Sequence, residues 1–437
     1  MRDTTHTPLL GIDFGTSNTS AALVDARGQL HTLALDEGHT SMPTALFFSS
    51  EDSTVAYGRA AMRAYLEGTE GRLLRSIKSL LGSSLIDEQT LLQGRMTSLF
   101  EVVVMFFAEL KRRCEQQLGH PVDTALLGRP VHFVDDDPVR DAQAQDTLRR
   151  AALAAGFTAV QFQLEPIAAA FDFEQRVQAD HTVLVVDIGG GTSDFTVARV
   201  GPGRAGQPDR SADILATTGV HIGGTDFDQW LNLRHAMPLL GRGHIGPSGR
   251  EVPSAVFHGL STWHLVPQWY SRKSLHDAGE LRSNYRDGQM HQRLMQVLRD
   301  HQGHHILAQT EAAKIACSDT AAEADIVLDC IAPGLAVPLA PEALEDTLAS
   351  ALGAIVACAQ ECVAQAGVTA EKLQAVYLTG GSSALAPLGE ALARVFPQAT
   401  LTVGDRFTSV AAGLAYGGAA LGAGAEILDE IAVLNST

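Results

Sequence analysis

Short apolar runs and helix-period segments alternate along most of this chain. LLGIDF and the apolar stretches after it, broken by a glycine turn, predict a meander of strands over residues 9–48. Ser98-x-x-Glu101 reads as a capping box opening a helix to about Leu118, with Gly119 beyond its end. A strand is predicted near Leu126–Phe133, then a helix that Pro138 starts and that ends before Gly156. Val160–Leu164 reads as a strand leading into a helix that begins Glu165-Pro166. The second half repeats this logic with strands 183–188, 193–200 and Ile214–Val220, then a helix after Gly223-Gly224. Helix 304–318, strand 324–331, helix 341–366, strand 375–379 and helix 407–420 follow. Residues about 235–300, rich in histidine and poor in strand patterns, read as an inserted subdomain. Strands alternating with helices predict an α/β architecture.

Two segments look like copies of one another. LLGIDFGTSNTSAALVD (Leu9 to Asp25) and VLVVDIGGGTSDFTVARV (Val183 to Val200) each give a buried strand, an aspartate, a Gly/Thr/Ser turn and a second strand. Such turns present backbone N–H groups and hydroxyls to an anion, because glycine permits close approach. The aspartates, Asp13 and Asp187, suit a hydrated divalent cation. Together they predict one polyphosphate clasped between two related lobes. A third turn, Gly380-Gly381-Ser382, ends a strand where α/β sheets bind ligands, and an ordinary strand–turn–helix is its bland alternative. Glu165 is either a favourable charge at a helix start or a rigid carboxylate that orients water. Glu311, Lys314 and Ser318 share one helical face, which is either nucleoside-facing or a solvated salt-bridge face. Lys78 is a lone cation in an apolar stretch.

Composition narrows the ligand. Of 437 residues 45% are hydrophobic, enough for a large core, and the net charge of −18 excludes bulk nucleic-acid binding. An anionic ligand therefore needs local donors, which the turns supply. The start MRDTTHTP lacks the pattern of a secretory leader. No run of about 18 strongly apolar residues is evident; Ala411 to Ile427 comes nearest and reads as a buried helix. Five cysteines point to a reducing compartment, so a cytoplasmic protein with no membrane partner is expected. Cys358 and Cys362 read as core residues before half a metal site. GPGRAG (Gly201 to Gly206) formally matches a dinucleotide fingerprint, but its context is not helical. The histidines between His221 and His305 match no metal template.

GIDFGTSNT, DIGGGTSD, LEPIAAA, GGTDFD and LTGGSS occur in the order seen in the actin-like ATPase superfamily. The chain most closely resembles the nucleotide-binding domain of the DnaK-type, seventy-kilodalton heat-shock chaperones, over most of residues 9–420. The resemblance implies an actin-like ATPase fold: two duplicated lobes with inserted subdomains around a central nucleotide cleft. Lobe I would span 1–182 with an insert at about 42–119, and lobe II 183–403 with an insert at about 231–303. Residues 404–437 would form a helix returning to lobe I and a short tail.

The resemblance also assigns roles. ATP or ADP with Mg²⁺ would be the ligand. Asp13, Asp187 and Asp194 would hold the metal's water shell. Gly15, Thr16, Ser17 and Asn18, with Gly189, Gly190 and Gly191, would meet phosphate, joined by Gly223 and Gly224. Thr192 and Glu165 would orient the attacking water, Lys78 would neutralise charge at the γ-phosphate, and Asp187 would be essential to hydrolysis. Glu311, Lys314 and Ser318 would meet ribose and adenine, and Gly380, Gly381 and Ser382 would border the nucleoside.

Three departures stand out. Ile315 and Ala384 occupy the places of two adenine-stacking arginines, a loss of about 1 kcal/mol or more per contact. Pro130 matches the proline of a proline–arginine relay, with Gln145 nearest the arginine's place. The peptide-binding domain and its linker have no counterpart, so a short stand-alone relative is expected. The implied function is a slow ATP-hydrolysing switch with an unidentified protein partner; a nucleotide-sensing module with little turnover and a metabolite kinase are the alternatives.

Overall fold

The computed structural model describes residues 9–134, 137–205, 207 and 210–422. The MRDTTHTP start and the end of the Ala411–Ile427 stretch lie outside the described residues. The chain divides into two compact units, one of Met1–His221, Ile355–Ser383 and Leu392–Thr437, the other of Ile222–Ala354 and Ala384–Ala391.

The first unit contains two sheets built to one plan. In the first, Leu10–Phe14 is central, with Asn18–Val24 and then Leu30–Thr32 antiparallel on one side. Thr124–Arg129 and Ala159–Leu164 add in parallel on the other. In the second, His181–Ile188 is central, Ser193–Val200 and Ile214–Val220 are antiparallel on one side, and Ala375–Thr379 and Thr400–Val403 are parallel on the other. The helices also correspond: Leu99–Leu118 with Pro341–Gln365, Pro138–Ala154 with Ala386–Val395, and Glu165–Glu174 with Ser409–Gly422. The duplication read in two short turns therefore extends over whole sheets.

The last pair of helices crosses over. Glu165–Glu174 packs on His181–Ile188 and Ser193–Val200 of the second sheet, while Ser409–Gly422 packs on Leu10–Phe14 and Asn18–Val24 of the first. The two helices also pack on each other through small residues. A Cβ on Gly413 would sit 1.7 Å from the Ala168 carbonyl oxygen, and one on Gly11 2.7 Å from the Ala415 nitrogen. Gly413→Ala should gain a little helix propensity but must push the paired helix backbones away from each other. Net destabilisation of about 1–3 kcal/mol is expected, read as a lowered denaturation midpoint; an unchanged midpoint would contradict this packing.

Local chemistry sets the ends of the elements. The Ser98 hydroxyl accepts the Glu101 N–H while Glu101 accepts the Ser98 N–H, and Gly119 closes the helix at φ 73°. Asp137 caps the helix whose first residue is Pro138. The strand expected to reach Phe133 stops at Arg129. Pro130 has no N–H to continue a ladder, and the Val131 N–H turns to the Asp194 carboxylate, 2.8 Å away. The strand expected over 324–331 ends at Val327.

One expectation needs correcting. The helix Pro341–Gln365 is by length and composition apolar enough to cross a membrane. Its buried positions, among them Leu344, Leu348, Ile355, Ala359 and Cys362, recur at helical spacing along one stripe, as in a core helix. The alanine-rich interior let this run escape notice.

The second unit is mostly helical, with one two-stranded sheet, Ala324–Val327 against Ala336–Leu339. Some of its histidines pack on aromatic rings: His304 stacks on Trp263 at 5.0 Å and His301 on Tyr270 at 4.2 Å.

Candidate functional site

The two glycine turns close by the same bond. The Gly15 N–H donates to the Asn18 carbonyl at 3.0 Å, and the Gly189 N–H to the Thr192 carbonyl at 2.9 Å. Beyond each turn the register is also the same, Asp13 opposite Ser20 and Asp187 opposite Asp194. The turns face one another. A Cβ on Gly190 would lie 2.3 Å from Ser17 Oγ, and one on Gly191 3.2 Å from Thr16 Oγ1. A side chain on Gly190 would have to displace Ser17 Oγ and one on Gly191 would press on Thr16, so glycine lets the loops meet this closely. Thr44 braces the first turn, its hydroxyl donating to the Gly15 carbonyl at 2.8 Å and its N–H to the Ser17 carbonyl at 2.9 Å.

Behind the turns lies a cluster of charge. Lys78 Nζ is 2.7 Å from Glu165 Oε1, and both side chains are buried. Burial alone would push the lysine pKa down, but the charges of Glu165 and Asp13 hold it above its ordinary value. Burial, followed by the Glu165 charge, pushes Asp13 up to about 7. Asp194 is also pushed up to about 7 by burial and Glu165, against the Val131 N–H and the Thr192 hydroxyl. Asp187 stands well above the usual carboxylate range through burial and then the charges of Glu165, Asp13 and Asp194.

Four carboxyl groups thus share one ammonium, and once ionised they carry a surplus of negative charge that a cation would offset. Among the described residues no three His, Cys, Asp or Glu are placed to bind one ion together. Contact through a retained water shell, the habit of magnesium, is the arrangement this set allows.

The raised carboxylates give a pH dependence. The folded chain holds protons on Asp13 and Asp194 up to about pH 7, whereas the unfolded chain releases them near pH 4. Between those values the native state binds more protons, so stability falls as pH rises through the window. Magnesium should therefore raise the melting temperature more at pH 8 than at pH 5; an equal shift at both would count against the cluster as the cation site.

The third turn joins the same place. Gly380 has φ 84°, and a Cβ there would lie 2.4 Å from the Ile188 carbonyl oxygen and 2.5 Å from Asp187 Oδ1. The Ser382 N–H donates to that same carbonyl at 3.1 Å. Gly381 lies beside the half-exposed Phe407 ring.

Gly223, Gly224, Glu311, Lys314 and Ser318 belong to the second unit. Gly223 donates its N–H to Asp226, and Gly224 opens the helix Gly224–Leu231. Glu311, Lys314 and Ser318 fall on the helix Gly303–Thr320. Lys314 is buried, with Nζ 2.7 Å from Asp228 Oδ1, so the solvated-face alternative does not hold for it. Ser318 Oγ donates to the Ala384 carbonyl and accepts the Ala386 N–H. Ile315 is exposed.

Sequence reasoning missed Thr44, Arg129 and Ser20. Arg129 Nε donates to the Pro130 carbonyl at 3.0 Å, while its other nitrogens reach Gln145 and Asp141. Ser20, buried and without a hydrogen-bond partner among the described residues, stands where Asp194 stands in the other copy. Aligning the two copies to that depth would have found it.

A model of the Hsp70 protein family matches residues 88–238, a stretch that contains Glu165 and the whole second turn. Two proteins named "Chaperone protein DnaK", from Thermosipho melanesiensis and Thermosipho africanus, are each 30% identical over 223 residues, 51% of this chain. Over the matched residues the chain is similar to the Hsp70 family. Its α/β fold of paired sheets is consistent with that family's actin-like ATPase fold. The matched region covers 34% of each DnaK relative, so the chain spans about a third of their length. Within this chain, the turn pair and the carboxylate cluster, together with the likeness to Hsp70 and DnaK, support a role like that of a nucleotide-binding domain.

Proposed function

We propose that this chain binds MgATP, hydrolyses it slowly, and uses the change of nucleotide as a conformational switch read by another protein. The observation behind this reading is the meeting of two glycine turns over a buried cluster of four carboxylates and one lysine. The residues from Gly15 to Asn18 and from Gly189 to Gly191 would cradle phosphate. Asp13, Asp187 and Asp194 would hold the water around magnesium, which when bound neutralises phosphate charge. Glu165 and Thr192 would orient the attacking water, and Lys78 would stabilise charge on the transferred group, so catalysis is positioning plus electrostatics.

Gly380, Gly381 and Ser382 would border the nucleoside, and the family resemblance assigns Gly223, Gly224, Glu311, Lys314 and Ser318 to the same nucleotide. Lys314 would have to share its bond to Asp228 to reach a ribose. Among the described residues the cysteines form no disulfide, in keeping with the proposed cytoplasmic setting, and the strong negative charge favours a protein partner over nucleic acid.

Phosphate release from MgATP tests the reading. Asp187→Asn is expected to slow it by roughly 10²-fold or more, and a wild-type rate no faster than that of the variant would sink the hydrolysis claim. A sensing module with little turnover is the second reading. It is favoured by Lys78 being already engaged with Glu165 and by the absence of a cation at Ile315 and Ala384. Calorimetric nucleotide binding without phosphate release would establish it.

A further inference from the structure

Tyr377 sits at the centre of the second sheet, fully buried, on the strand Ala375–Thr379 that leads into Gly380. Its hydroxyl donates to Asp172 Oδ2 at 2.6 Å. Asp172 lies on the helix Glu165–Glu174, seven residues beyond Glu165 and so on the same face, about 10 Å along the axis. Tyr377 precedes Gly380 by three residues, again about 10 Å. One hydrogen bond thus joins two elements at matched distances behind the site, one carrying Glu165 and the other the glycine turn packed on Asp187.

A third element meets the same hydroxyl. Ser409 Oγ, at the start of the helix Ser409–Gly422, lies 3.1 Å from it and donates to the Asp405 carbonyl at 2.9 Å. The bond is also shielded. Phe173 packs on the Tyr377 ring at 4.8 Å, and Arg176 closes over that ring while donating to Asp172 Oδ2 at 2.7 Å. The fit around the phenol is close: a Cβ on Gly404 would come 2.2 Å from its oxygen. A buried carboxylate beside a core built mostly of alanine, valine, leucine and phenylalanine costs free energy unless it is paired. Among the described residues its side-chain bonds go to Tyr377 and Arg176.

We propose that Tyr377 and Asp172 are positioning residues. Their bond fixes the offset between the helix of Glu165 and the strand of Gly380, so that Glu165 and the third turn stay in register around the bound nucleotide. The inference rests on the proposed ATP hydrolysis for its consequence on rate, while the mechanical tie itself stands on the geometry. Displacing one reacting group by a fraction of an ångström slows a positioned reaction far more than it weakens binding.

Tyr377→Phe keeps the ring and its packing and removes the bond. In the full chain, well below its melting temperature, this variant should lower kcat for MgATP about tenfold while MgADP affinity stays within about twofold. Asp172→Asn keeps an acceptor for the phenol and should retain more activity than Asp172→Ala. Added to Tyr377→Phe, Asp172→Asn should cost little further.

Hydrogen–deuterium exchange supplies a reading free of activity: amides around Ile167–Ala169 and Gly380–Ser383 should exchange faster in Tyr377→Phe. Unchanged kcat with only a lowered melting temperature would overturn the inference and leave a plain core hydroxyl. A wild-type chain that hydrolyses no ATP would sink the proposed function instead. Exchange would then decide on the tie alone, with unaltered rates at both segments refuting it.

Discussion

Lys78→Met is expected to be the most damaging single change in the site. The ammonium is the buried partner of Glu165 and stands among Asp13, Asp187 and Asp194. Removing it leaves Glu165 uncompensated in a cluster already short of positive charge, a loss of roughly 3–5 kcal/mol for a broken buried pair. Hydrolysis should also fall by about 10²- to 10³-fold if the lysine stabilises charge on the transferred group. The double change Lys78→Met with Glu165→Gln separates the two effects. It should recover most of the stability, because the lone buried charge is gone, while turnover stays at the level of the single variant. Chemical denaturation and phosphate release measure both. Recovery of turnover in the double variant would show that the pair serves the fold and not the chemistry.

Gly190→Val acts by shape. At this position even a single methyl would press on Ser17 Oγ, and the branched side chain meets the Ser17 backbone as well. Because Gly190 lies in a turn between strands, the core should survive, and circular dichroism should match the wild type. The two turns would be forced apart, and affinity for MgADP should drop by tenfold or more, with each factor of ten worth about 1.4 kcal/mol. Calorimetry gives the answer directly. Affinity equal to the wild type would mean that the turns do not jointly hold phosphate.

How much of this was legible in the sequence depended on how local each signal was. The helix Leu99–Leu118 was readable because Ser98, Glu101 and Gly119 carry their own capping chemistry. The strand Ala375–Thr379 and the two aspartate turns were readable because an apolar run and a glycine cluster sit side by side. Lys78 said little alone because its partner is 87 residues away. Thr44 reaches Gly15 across 29 residues and Val131 reaches Asp194 across 63, each bond pairing a side chain with a backbone group that leaves no mark on composition. Lys314 carried an ambiguous signal. Its spacing from Glu311 and Ser318 left a nucleoside-facing and a solvated face both open, because its carboxylate partner, Asp228, sits in a distant motif and is invisible to helical periodicity.

The exchange of covering helices has a consequence for synthesis. A nascent chain that has emerged as far as Leu164 already contains every strand of the first sheet. The segment that will shield one side of that sheet, Ser409–Gly422, is the last described helix to leave the ribosome. Vectorial maturation, one half setting before the other is made, is therefore closed to this protein. The early half must wait, its apolar surface exposed, until the residues of Ser409–Gly422 have been made, which leaves it prone to aggregate if elongation stalls before then.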